Sequence, residues 1–176
     1  MKPEAQNPNL DSLDVDFLYH LGLDTTMDLK GMFGDVKYVC MGGSSVRAED
    51  FAKKTADELG VEVPEGGIQP IGKTERCSLF KVGPVISVSH GMGMPSMLIF
   101  LHEIAKLLDY AGAEDVKFIR IGTSGGVGVE PGTVVVADEG LNAKLRPEFE
   151  QVELGETYTY QIGLDTKLAD GILEAR

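Results

Sequence analysis

The sequence contains no apolar run approaching the ~18 residues that span a bilayer; its longest is Met97-Leu98-Ile99-Phe100-Leu101. The opening Met1-Lys2-Pro3-Glu4-Ala5-Gln6-Asn7 lacks the apolar core of a secretory signal. Cysteine is scarce: Cys40 and Cys77 are too few for a disulfide framework, and neither belongs to a CxxC pair. A soluble, reduced, cytoplasmic protein with no membrane partner is expected. Positive charge is also short, with 16 Lys and Arg against 28 Asp and Glu and a net charge of −12. Phosphate backbones repel such a chain unless its basic residues cluster, so no nucleic-acid partner is expected. Two glycine signatures are missing as well. There is no GxxxxGK[ST] loop, and neither Gly42-Gly43 nor Gly91-Met92-Gly93 completes GxGxxG.

What is present is ordinary in amount: 176 residues, 43% hydrophobic and 25% charged. That suffices for one domain with a continuous core. A single domain over 1–176 is expected, with 1–9 as a loose arm. Apolar spacing at Leu10, Leu13, Phe17, Leu18 and Leu21 predicts a helix over 10–21, stopped at Gly22.

Three strand-length runs share one design. Val36-Lys37-Tyr38-Val39-Cys40-Met41, Val85-Ile86-Ser87-Val88-Ser89-His90 and Val116-Lys117-Phe118-Ile119-Arg120-Ile121 each end in a glycine loop. Helices are predicted over 46–59, ending at Gly60, and over 95–110, ending at Gly112. A hairpin turning at Gly83-Pro84 makes the sheet mixed. Further strand, loop and helix are expected over 133–137, 142–147 and from Asp165 onward. The alternation is that of an α/β layered sheet.

In such sheets ligands gather at the carboxyl ends of the strands, where glycine lets backbone N–H groups approach an anion. Only five of the basic residues are arginine, and three fall near these loops. Arg47 follows Gly43 where loop becomes helix, Arg76 precedes the hairpin strand, and Arg120 interrupts an apolar strand. A guanidinium matches phosphate geometry with paired donors. Singly, each has a plainer reading: a solvated helix residue for Arg47, a surface residue for Arg76, a buried-carboxylate partner for Arg120. His20, His90 and His102 each read as structural, Met92 and Met94 as packing, and Cys40 as an inert buried thiol. The residues alone therefore support an α/β domain with an anion site.

At three places the sequence resembles the animal-type uridine phosphorylases of the nucleoside phosphorylase family. They are Phe33-Gly34-Asp35-Val36-Lys37-Tyr38-Val39-Cys40-Met41-Gly42-Gly43-Ser44, Val82-Gly83-Pro84 through Met94-Pro95-Ser96, and Ile119-Arg120-Ile121-Gly122-Thr123-Ser124-Gly125-Gly126. Leu18-Tyr19-His20-Leu21 and Glu130-Pro131-Gly132-Thr133-Val134-Val135 extend the likeness.

The resemblance implies a three-layer α/β/α sandwich around a central mixed sheet. It also implies reversible conversion of uridine and phosphate to uracil and ribose 1-phosphate, without cofactor or metal. Carried over, Gly43, Arg47, Arg76, Arg120, Ile121, Gly122 and Thr123 bind phosphate, with Arg120 and Thr123 catalytic. His20, Met92 and Thr123 contact ribose, and Ser124 and Gly125 begin the base pocket. Arg76 and His20 come from the neighbouring subunit of a homodimer. The family's base-reading Gln and Arg, its Glu-Met-Glu segment and its closing helix do not occur in these 176 residues, so the family's C-terminal part is expected to be absent. A nucleosidase using water and an inactive paralogue that binds nucleoside or a partner protein are the competing readings.

Overall fold

The computed structural model describes residues 13–72, 74 and 76–175; the arm over 1–9 lies outside the described residues. The chain falls into two compact units, Met1–Thr123 and Ser124–Arg176.

The first unit is built on a four-stranded mixed sheet. Its strands are β3 (Tyr38–Gly42), β4 (Leu79–Val82), β5 (Val85–Ser89) and β6 (Lys117–Arg120), in the order β4-β5-β3-β6. β3, β5 and β6 run parallel, and β4 is antiparallel to β5, turning at Gly83 and Pro84 as expected. Two helices follow the predicted loops: α2 (Ser45–Leu59) after β3, and α3 (Gly93–Ala111) after β5. Each ends at a glycine in the left-handed region, Gly60 at φ 64° and Gly112 at φ 67°.

Period-2 alternation sends the strand side chains to opposite faces. Val39, Met41, Leu79, Ile86 and Val88 pack with Phe100, Ile104 and Leu107 of α3 and with Phe33 of α1 (Leu29–Phe33). Phe80 and Val82 pack instead against Ala48, Ala52 and Ala56, spaced four apart on α2. Ser87 faces the same helix and donates its hydroxyl to the Ala48 carbonyl at 2.7 Å, which settles a buried polar group in the sheet. Helices thus cover both faces, giving the expected three layers. Burying a side chain such as Phe100 contributes about 1.5–3 kcal/mol. β6 lies at the sheet's edge, and Phe118 on it is 40% exposed.

The N-terminal expectation fails. Residues 13–21 are not helical; β1 (Phe17–Leu18) and β2 (Leu23–Asp24) form a short antiparallel hairpin. Leu18, Leu21 and Leu23 do bury, but through a turn in which the Leu18 carbonyl accepts from both Leu21 and Gly22. Gly22, at φ 69°, reverses the chain there. The short α1, capped by the Asp28 carboxylate on the Gly31 N–H, was not anticipated.

The second unit holds a hairpin of β7 (Glu148–Glu153) and β8 (Glu156–Gln161), and the helix α4 (Thr166–Glu174) capped by Asp165. The hairpin was not predicted. Its turn puts Leu154 at φ 49° and Gly155 at φ 89°, and Phe149 stacks across on Tyr160. Residues 133–137, expected as a strand, are not one: among the described residues they pair with no other strand. No helix among the described residues is long and apolar enough to cross a membrane.

Candidate active site

Three glycine loops meet at the carboxyl ends of the parallel strands. The ladder continues past the strands: the His90 N–H donates to the Gly42 carbonyl and the Ile121 N–H to the Met41 carbonyl, each at 2.8 Å. The loops touch backbone to backbone. A Cβ on Gly42 would come within 3.0 Å of the Ile121 oxygen, and one on Gly43 within 3.1 Å of the Gly91 oxygen. A side chain at either position would crowd this close approach, which glycine leaves free.

Arg47 and Thr123 meet across this lip. Arg47 stands in the first turn of α2, behind the Ser44 cap, and its Nη1 donates to Thr123 Oγ1 at 2.8 Å. Both line a cavity of about 280 Å³ together with Gly42, Lys54, Ile121 and Gly122. Arg120 stands opposite Met41 in the ladder, exposed, and no described carboxylate pairs with it. Its guanidinium lies over Gly122, where a Cβ would sit 3.0 Å from Nη1. A larger cavity of about 420 Å³, between α2 and residues 66–70, contains none of the sequence-predicted site residues.

Two buried groups near the lip are shifted toward their neutral forms. His90 is 5% exposed, and neither ring nitrogen has a hydrogen-bond partner among the described residues. Burial and then the Arg120 charge lower its pKa, and nearby backbone offsets this only in part. Burial pushes the Cys40 thiol up to about 11, as befits an inert side chain beneath the cavity. Among the described residues no group of three or more His, Cys, Asp or Glu has metal-site spacing.

His20 belongs to a second cluster, and Arg76 lies near it in the chain. His20 Nδ1 lies 2.6 Å from Glu103 Oε1, and its carbonyl accepts from Thr74 Oγ1 at 2.7 Å. Thr74 also receives the Cys77 N–H at 3.4 Å, and Arg76, exposed, precedes that cysteine. Glu103 and Thr74 escaped sequence reasoning; the only signal was a carboxylate set close to Leu101 and Ile104 on the largely apolar α3. Met92 is 89% exposed at the start of α3. Ser124 and Gly125 open the second unit, both exposed.

Comparison with known proteins places this geometry. Human uridine phosphorylase 2 is 50% identical over 168 residues, matching 94% of this chain and 53% of its own length. The inactive uridine phosphorylase B of Schistosoma mansoni is 45% identical over 161 residues, covering 91% of this chain and 54% of its own. The crystal structure of Schistosoma mansoni uridine phosphorylase in complex with thymidine superposes with a TM-score of 0.90 at 43% identity, covering 97% of this chain and 58% of that one. The chain therefore spans little more than half the length of these relatives. Residues 37–175 match the model of the phosphorylase superfamily, a stretch that begins before β3 and takes in the Gly42, Gly91 and Gly122 loops. With the glycine lip and its arginines inside that match, the chain belongs to the phosphorylase superfamily.

Proposed function

We propose that this chain carries the phosphate-holding part of a uridine phosphorylase, acting in pyrimidine nucleoside salvage and catabolism. The observation that carries the reading is the Arg47–Thr123 hydrogen bond across the glycine lip, set in a chain 50% identical to a uridine phosphorylase. Both units belong to one nucleoside phosphorylase domain on this reading, since the superfamily match runs through both.

Phosphorolysis needs no side-chain nucleophile. A phosphate oxygen attacks the anomeric carbon, the C–N bond breaks, and its electron pair leaves with uracil. In this reading Gly43, Arg47, Arg120 and Thr123, with the Ile121-Gly122 backbone, orient the dianion beneath the ribose. Arg120 and Thr123 also face the sugar as it becomes cationic. Such positioning and fixed charge supply most of the rate. Met92 lines the ribose site, and Ser124 and Gly125 begin the base site. Arg76 and His20 serve the neighbouring subunit's site in a cytoplasmic homodimer. His20 is tied to Thr74 on a cluster separate from the lip, and Arg76 lies two residues along the chain from Thr74, which supports that pairing.

Uracil release from uridine, measured with and without phosphate, tests the proposal. Release is expected only with phosphate, and Arg120→Ala should lower it about 10²–10³-fold with the circular dichroism spectrum retained. Phosphate-independent release would indicate a nucleosidase. An inactive relative at 45% identity favours a second reading, a nucleoside-binding paralogue. Nucleoside binding with no release under any condition would establish it.

A further inference from the structure

One carboxylate gathers three donors at the turn between β1 and β2. Glu103, midway along α3 with its side chain 14% exposed, receives His20 Nδ1 at 2.6 Å. It also accepts the backbone N–H of His20 at 2.8 Å and that of Leu21 at 3.0 Å. With two main-chain N–H groups pointing at it, the carboxylate serves this turn as an acceptor. Its charge is felt nearby: after burial, Glu103 is the next cause of the raised Cys77 thiol pKa. Facing such an acceptor, His20 Nδ1 is the donor. A neutral imidazole that donates from Nδ1 carries its lone pair on Nε2. No hydrogen bond joins Nε2 to any described residue, and the ring is 29% exposed, its other flank lying edge-on to Tyr19.

We propose that Glu103 is a positioning residue that locks His20 in the Nδ1–H tautomer, leaving Nε2 as a fixed acceptor for a substrate hydroxyl. Which hydroxyl rests on the proposed function: the ribose 5′-hydroxyl in the neighbouring subunit. A carboxylate behind an imidazole commonly sets ring orientation and tautomer in this way. A histidine ring free in water favours the opposite tautomer, so the two states are distinguishable.

The test is the ¹⁵N chemical shifts of the His20 ring in the full chain, at a pH where the ring is neutral. A protonated Nδ1 and unprotonated Nε2 are expected, with reversion toward Nε2–H in Glu103→Gln. Thr74→Val removes the other tie to this turn without touching the ring, and should keep the Nδ1–H state. A wild-type ring found as Nε2–H, or a Thr74→Val ring that reverts as fully as Glu103→Gln, overturns the proposal. A kinetic arm reads the consequence: Glu103→Gln should lower kcat/KM for uridine about tenfold and leave 5′-deoxyuridine unchanged. An equal loss on both substrates would mean that Glu103 only supports the turn. If no protein releases uracil, the functional reading fails, and the ring shifts still decide the role of Glu103.

Discussion

Asp16 shows how a charge is kept inside this fold. It is 8% exposed, yet Tyr110 donates to its Oδ2 at 2.7 Å and Lys106 forms an ion pair with the same oxygen. Burial alone would raise its pKa; the Lys106 and Tyr110 hydrogen bonds, with the Lys106 charge, outweigh burial and hold it below the ordinary aspartate value. A lowered folded-state value means stability that is present above the unfolded pKa and lost as pH falls through the folded one. Asp16→Asn should therefore cost about 1–3 kcal/mol in urea unfolding at pH 7, and the gap from wild type should narrow as the carboxylate range is crossed. A gap unchanged by acid would contradict this. The same scale explains which site residues were legible. Arg120 interrupts an apolar strand and Arg47 follows a glycine loop, so local pattern exposes both. Glu103 serves His20 from 83 positions away, and only the folded chain brings them together.

Elements that end in glycine were read well, because the stop is a local property of the backbone. Gly60 and Gly112 close α2 and α3 where the pattern placed them. The β1–β2 hairpin was misread because Leu18 and Leu21 are spaced as on a helix, while the chain buries them through a turn against α3. The β7–β8 hairpin hid behind Leu154, an apolar residue at positive φ that carries no turn signal of its own. Glycines also differ in what they permit. Gly60 has open space around it, whereas a Cβ on Gly72, at φ 84°, would fall on the Leu21 carbonyl. Gly60→Ala should cost about 1–2 kcal/mol from left-handed strain alone. Gly72→Ala should cost more, since the strain adds to a backbone collision. Paired urea denaturation curves would show this, and equal midpoints would refute it.

For the whole molecule, the proposed function divides the labour between two places. The lip carries Arg47, Arg120 and Thr123, while His20 is held by Thr74 and Glu103, with Arg76 two residues from Thr74. If each subunit lends the second cluster to its neighbour, mixing Arg76→Ala with Arg120→Ala protein should recover part of the activity that either variant lacks. No recovery in verified heterodimers would count against a shared site. A consequence for synthesis follows from the strand order. β3 is flanked on one side by β5 and on the other by β6, both made after it, and β6 only once residue 117 is reached. While the ribosome is still working, β3 therefore has a bare edge, which is where a chaperone or a second nascent chain would attach. Arg47 waits for Thr123 through the same interval, so the glycine lip is the last part of this unit to close.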